Sequence, residues 1–235
     1  MPHPGHLVAA VLLIGASFLG GPRMLPPAGA VRAMDRPMIV RGTVWDSTVG
    51  APLSGARVFL EGTADTAVTD AAGAFSLEHA LDGRYSVSFT HPRLDSLGYV
   101  PQAALVDLAE GPPATVRLAI PSVGAVRQAL CAERAAGDSG VVVGSVVRPA
   151  GETVQNLEVR FDWYEHIEVT RRGTNVRLDN AASGTLTDAA GHFRVCGVPL
   201  RAPIRVIVRV DGRDRLIATL RLRELTPYRY DIRTW

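Results

Sequence analysis

Four stretches of this 235-residue sequence hold residue types able to do chemistry. Gly137-Asp138-Ser139-Gly140 spells the surroundings of a nucleophilic serine, a chemistry in which a general base and a buried acid must converge on the hydroxyl. Val141 follows where a glycine would continue that pattern, no A-x-H-C segment lies upstream, and the tetrapeptide falls between two strand-rich regions, so a solvated loop is expected. Asp162, Glu165, His166 and Glu168 crowd one segment, and on an alternating strand Asp162, His166 and Glu168 would share a polar face suited to a metal. Outer-face charges in water account for them without a ligand, and no metal or other cofactor is expected. Zinc hydrolysis needs paired ligands such as H-x-x-E, which the sequence lacks, and its only H-x-x-H pair, His3 and His6, lies in the apolar N-terminal stretch. Arg171 and Arg172 occupy a predicted turn, where they would meet an anionic glycan or a partner, or keep the turn soluble.

The elements that must carry these residues are set by a repetition. Thr69-Asp70-Ala71-Ala72-Gly73-Ala74-Phe75 returns 118 positions later as Thr187-Asp188-Ala189-Ala190-Gly191-His192-Phe193. Each copy reads as a turn between strands. Asp70 and Asp188 fold their carboxylates onto nearby N–H groups, Gly73 and Gly191 take backbone angles that other residues resist, and the Phe re-enters a core. The residues before the turn repeat too, since Gly151, Val154, Asn156, Leu157, Val159 and Phe161 match Gly50, Leu53, Gly55, Ala56, Val58 and Leu60 at an offset of 101. About 17 extra residues therefore lie between Phe161 and Thr187, predicted as two lengthened strands meeting at Arg171–Asn175. Short alternating strands such as Tyr85, Val87 and Phe89 pointing one way, with turn signals every 8 to 12 residues, predict β-sandwiches, and no helical periodicity stands out in the first module.

Residues 1–30 read as a signal peptide. Leu7–Gly20 is apolar or small throughout and is followed by the small-x-small triplet Ala28-Gly29-Ala30. Fourteen residues are short for a membrane span, so no stable membrane insertion is expected after cleavage. The first module is assigned to residues 35–121, a connector to 122–138 with one or two helical turns capped by Ser122, and the second module to 139–235. Hydrophobic residues make up 47% of the chain and charged ones 20%, enough apolar material for one large or two small cores. The net charge is +2, every basic residue is Arg, and the second half is only mildly basic, which excludes a nucleic-acid footprint. The terminal Trp235 is followed backwards by Arg233 and Asp231 where a membrane barrel would alternate lipid-facing residues, so a barrel is disfavoured.

The pattern G-T-V-W-D…G-A-P-L-S-G-A-R-V-F-L…T-D-A-A-G-A-F-S-L…G-R-Y-S-V-S-F resembles the carboxypeptidase regulatory-like domain. The resemblance implies a transthyretin-like β-sandwich of about seven strands with a non-catalytic role, similar to accessory modules on secreted peptidases, glycan-active proteins and outer-membrane receptors. It covers the first module nearly throughout. In the second, Arg148-Pro149-Ala150 and Thr153–Asn156 replace the usual signature. The expected fold is thus all-β, two tandem transthyretin-like (Ig-like) sandwiches joined by a short helical connector. An exported chain with two cysteines is expected to join Cys131 to Cys196. The expected function is a non-enzymatic binding or spacing protein, secreted or periplasmic, with a protein or glycan partner. A carbohydrate-binding accessory protein and a hydrolase with an unrecognised site are the alternatives. Trp163 falls at an inward position, which weakens a stacking platform for sugars.

Overall fold

Strand β1 (Met38–Asp46) alternates buried and exposed residues along its length, with Val40 and Val44 fully buried, as a strand does when one face meets a core. The computed structural model describes residues 37–132, 137–169 and 176–234. The expected signal peptide and the turn carrying Arg171 and Arg172 therefore lie outside the described residues. After β1 the first sandwich continues through β2 (Ala51–Pro52), β3 (Arg57–Leu60), β4 (Thr66–Val68), β5 (Ala74–His79), β6 (Gly83–Thr90), helix α1 (Pro92–Leu97), β7 (Ala104–Leu108) and β8 (Ala114–Ile120). Helix α2 (Val123–Cys131) leads to the second sandwich: β9 (Ser139–Val147), β10 (Glu158–Val169), β11 (Val176–Leu186), β12 (His192–Pro199), β13 (Ile204–Val210), β14 (Arg213–Leu220), β15 (Tyr228–Arg229) and β16 (Ile232–Arg233).

Both sandwiches share one strand plan. In the first, β1 pairs antiparallel with β2 and β5 and parallel with β8, facing a sheet of order β4-β3-β6-β7. In the second, β9 pairs antiparallel with β12 and parallel with β15 and β16, facing a sheet of order β11-β10-β13-β14. The bridge Val147↔Thr153 stands where β1 meets β2.

The repeated heptapeptide makes the same bonds in each place. Asp70 Oδ1 accepts from the N–H groups of Ala72 and Ala74, both at 2.8 Å, and Asp188 Oδ1 accepts from those of Ala190 and His192 at 2.9 and 2.8 Å. The buried Thr69 hydroxyl donates to the Leu53 carbonyl at 2.6 Å, as that of Thr187 does to Val154 at 2.6 Å. Each hydroxyl also accepts a backbone N–H, from Ala56 at 2.8 Å and from Leu157 at 2.9 Å. The threonine thus closes the turn onto the preceding strand, a role the sequence reading had left to Asp and Gly alone. Gly73 and Gly191 have φ of 73° and 75°, the left-handed region expected of them. Phe75 and Phe193 are both buried, each under a glycine of the first strand, Gly42 and Gly144. A β-carbon at Gly42 would run into the Val116 carbonyl and the Phe75 ring. One at Gly144 would run into the Tyr230 carbonyl and the Phe193 ring.

Two features depart from expectation. Helix α1 interrupts a module in which no helix was anticipated, yet its signals are local. The His91 side chain accepts from Arg93 N–H, Pro occupies the first turn, and Gly98 closes the end at φ 60°. Helix α2 runs nine residues, longer than one or two turns, with the expected Ser122 cap. Val126, Leu130 and Cys131 are buried, and so is Arg127.

Candidate binding cleft between the two sandwiches

Strand β9 explains how the sandwiches meet. Gly140 to Gly144 are buried without alternation, the mark of a strand covered on both faces. Val142 and Val146 belong to the second core, whereas Val141 and Val143 belong to the first, together with Val126, Leu130 and Cys131 from α2. The Val141-Val142-Val143 run in the sequence was the readable signal for this, because one-sided strands alternate. Each buried valine contributes about 1.5 kcal/mol or more of apolar transfer to the junction.

Three further contacts fasten it. The disulfide joins Cys131 at the end of α2 to Cys196 on β12, with Cα atoms 5.9 Å apart, as the sequence predicted. The buried Arg127 guanidinium donates to the carbonyls of Gly137 and Ser139 at 3.0 and 2.6 Å. Arg229 donates to the Asp95 carbonyl of α1 at 2.6 Å, and Gly98 at the end of α1 lies flat on Val143. Ser139 is therefore the half-buried first residue of β9, its carbonyl held by Arg127, and does not sit in a solvated loop.

Helix α1 is itself anchored from the first sheet. The buried Asp46 carboxylate accepts from Arg93 Nε at 3.1 Å and from the Thr48 N–H at 2.8 Å, and Arg93 also donates to the Thr48 hydroxyl at 2.8 Å. A buried carboxylate with this many donors is compensated for its lost hydration.

Beside the junction the two sandwiches leave an open cleft of about 460 Å³. Leu94, Tyr99 and Val100 line it from the first sandwich, and Leu186, His192, Arg194 and Arg229 from the second. A second recess of about 510 Å³ along Arg57, Phe59 and Pro101 shares Leu94, Asp95, Tyr99 and Val100 with it. Tyr99 stands where the two meet, its ring half-buried against the first core.

Serine, histidine and aspartate do come together near this cleft. Ser145 on β9 pairs directly with His192 on β12, and the His192 Nδ1 lies 3.8 Å from an Asp188 oxygen. The Ser145 hydroxyl, however, donates to Asp231 at 2.9 Å, and the His192 and Asp188 side chains are 63% and 60% exposed. A nucleophile activated by its neighbouring base needs that hydroxyl bonded to the imidazole, and here the carboxylate of Asp231 takes it. Burial pushes the Asp231 carboxyl upward, and bonds from Arg229 and Ser145 outweigh it, leaving the group below its ordinary value.

The acidic stretch on β10 serves a different purpose. Asp162 faces Arg160 at 2.8 Å and Arg205 at 3.8 Å, Arg160 reaches Asp214 at 2.7 Å, and Arg209 joins Asp214 at 2.8 Å and Glu158 at 2.9 Å. These charges form an alternating ladder on the outer face of the β11-β10-β13-β14 sheet. Hydrogen bonds from Arg209 and then Arg160 hold the Asp214 carboxyl down at about 2. The bonds to Asp162 and Asp214 raise the Arg160 guanidinium further above its already high range. The pairing register shifts between Tyr164 and His166, so the strict alternation that would align Asp162 with His166 and Glu168 is broken; the side chains from His166 to Val169 lie outside the described residues. Among the described residues no group of three or more His, Cys, Asp or Glu is placed to hold a metal. Trp163 is buried in the second core, and Trp45 is 43% exposed.

Strand plan and welded junction together define an all-β protein of two Ig-like sandwiches. Residues 39–121, in the first of them, match the model of the carboxypeptidase regulatory-like domain. Among curated proteins none matches the chain. Among solved structures the chain is similar to the shaft pilin spaA from Lactobacillus rhamnosus GG, at 12% identity over 84% of this chain and 96% of that one, TM-score 0.29. It is also similar to a Streptococcal ancillary pilin, at 13% identity over 84% and 63%, TM-score 0.32. The Bacillus anthracis TIE protein aligns at 12% identity and TM-score 0.29 over 84% of this chain, which spans 34% of that protein. No helix among the described residues is long and apolar enough to cross a membrane.

Proposed function

We propose that this is an exported, non-catalytic binding and spacing protein of the cell envelope, and that its second sandwich is a divergent copy of the carboxypeptidase regulatory-like first. The junction carries the reading. A spacer must hold its two ends in fixed relation, and here a two-faced strand, a buried arginine and a disulfide fix one sandwich on the other. A disulfide between the only two cysteines also suits an oxidising compartment. The same arrangement gives a cleft with a wall from each sandwich, the usual place for a ligand in a two-domain protein.

The test is expression with the native N-terminus in a bacterial host, followed by fractionation and intact-mass analysis. The expected product is periplasmic or secreted, shortened near Ala30 and free of thiols. A full-length cytoplasmic product with two free thiols overturns export. A peptidase and esterase screen of the purified protein is expected to show no turnover, and turnover abolished by Ser145→Ala or Ser139→Ala overturns the non-catalytic reading.

A further inference from the structure

The first and last strands of each sandwich lie side by side and run the same way. In the first, β8 pairs parallel with β1 from Val40↔Ala114 to Asp46↔Ile120. In the second, β15 and β16 pair parallel with β9 at Tyr228↔Val142, Arg229↔Val143, Ile232↔Val146 and Arg233↔Val147. The gap between β15 and β16 is bridged. The Tyr230 N–H donates to the Val143 carbonyl at 2.9 Å, and the Asp231 carboxylate accepts the Ser145 N–H at 2.9 Å. The chain therefore enters each sandwich at one end of a parallel ladder and leaves it at the other. Tension along the chain draws β1 backwards and β8 forwards, so the rungs between them are loaded together. Forced unfolding is set by the barrier to the first break, and rungs that must part at once raise it above that for rungs opened singly.

The disulfide decides which residues that tension reaches. Cys131 ends α2, beyond the first ladder, and Cys196 pairs with Val141 near the entry end of β9. The covalent path thus crosses from Cys131 to Cys196 and leaves residues 132–195, with β9, β10 and β11, outside it. Strand β9 is the one that both cores share, so its extension would part the sandwiches. From this connectivity we propose that the protein carries tension along its length, each sandwich clamped in shear and the disulfide serving as a covalent shortcut that keeps β9 from being drawn out. The second ladder also takes up tension where the bridge delivers it, because Cys196 stands at the end of β9 opposite to Arg233.

This rests on the spacing role proposed above and adds what such a spacer withstands; the test uses purified protein, so it stands or fails independently of export. Single molecules held by handles at their two ends are pulled at constant speed, oxidised and then reduced. Reduction is expected to lengthen the fully extended molecule by about 220 Å, the reach of the 65-residue separation released from the bridge. A second geometry moves one handle to the exposed Ala150, beside the exit end of β9, so that β16 and β15 peel away rung by rung. That path is expected to open at a force several times lower than the end-to-end pull. Asp231→Ala removes the bridge across the gap in the second ladder and is expected to lower the end-to-end force of the second sandwich alone, recognised by its length. A thermal melt verifies that the variant folds, and the two pulling geometries of the wild type do not depend on it. No lengthening on reduction, equal forces in the two geometries, or an unchanged force in Asp231→Ala each overturns the proposal.

Discussion

Replacing both cysteines by serine cuts the covalent tie between α2 and β12 and leaves the Val141 and Val143 contacts in place. The bridge spans a sequence separation of 65, and for such a loop the chain-entropy model gives about 4 kcal/mol of stabilisation at 25 °C. Cys131 and Cys196 are otherwise small apolar groups at the edge of a packed core, so the two serines add a modest polar cost in the same direction. For a two-sandwich body of this size, about 4 kcal/mol corresponds to a fall in Tm of roughly 8–16 °C. The assay is calorimetric melting of oxidised wild type, reduced wild type and the double variant, with the variant expected to melt slightly below the reduced protein. Because β9 serves both cores, the oxidised protein is expected to melt in one transition. A fall of less than about 2 °C, set against that estimate, would show that the bridge constrains nothing the fold does not already hold. Two separate transitions in the oxidised wild type would refute the shared core itself.

Gly144→Ala and Gly42→Ala are each expected to cost about 2–4 kcal/mol in urea denaturation, because the new methyl meets a carbonyl and a buried phenyl ring that cannot both retreat; a loss under 1 kcal/mol at both sites, against the usual 1–3 for overpacking, would argue against the packing described. Val143→Asp places a carboxylate in the junction and is expected to separate the sandwiches, seen as a split melting curve and easier proteolysis between Cys131 and Ser139; an unchanged single transition would contradict this. Asp214 has its folded-state pKa lowered from 3.8 to about 2 by Arg209 and Arg160, so its contribution is present above pH 4 and is lost as the pH falls toward 2. Asp214→Asn is expected to flatten that part of a Tm-against-pH curve, and an identical acid limb in variant and wild type would show that the ladder does not form in solution.

Much of the frame was legible because it rests on local chemistry. The T-D-x-x-G turn needs an acceptor two and four residues before its N–H donors and a left-handed glycine, and those requirements are written in the residues themselves. The strands were legible from alternation, and the disulfide from counting cysteines in a chain that reads as exported. Helix α1 was overlooked because six residues hold too few turns for periodicity to register, although His91-Pro92 and Gly98 mark its ends. The cleft was not legible at all. Arg194, Arg229 and Tyr99 come from β12, β15 and the segment after α1, and only the docking of one sandwich on the other brings them together. The one sequence trace of that docking, three consecutive valines opening the second module, is also what a wholly buried strand of a single domain would show.

The two sandwiches differ in a way that explains why they dock rather than merely follow one another. In the second, β13 turns directly into β14 through Asp211 and Gly212, both at positive φ as a two-residue hairpin requires. In the first, the same connection, from β6 to β7, is drawn out into α1 and the segment carrying Tyr99 and Val100. That excursion needs an anchor, and Asp46 supplies it by gripping Arg93 and Thr48. At the matching place in the second sandwich stands Arg148, whose partner Glu152 is exposed as it is, and no helix lies between β13 and β14. The drawn-out connection in the first sandwich and the Val141-Val142-Val143 run in the second meet at the junction, where Gly98 lies against Val143. Shortening the 91–103 connection to a two-residue turn is therefore expected to expose Val143 together with the part of the first core that Leu94 and Leu97 fill. The measurable result is new binding of a hydrophobic dye, and its absence would mean that β9 is covered by something other than α1.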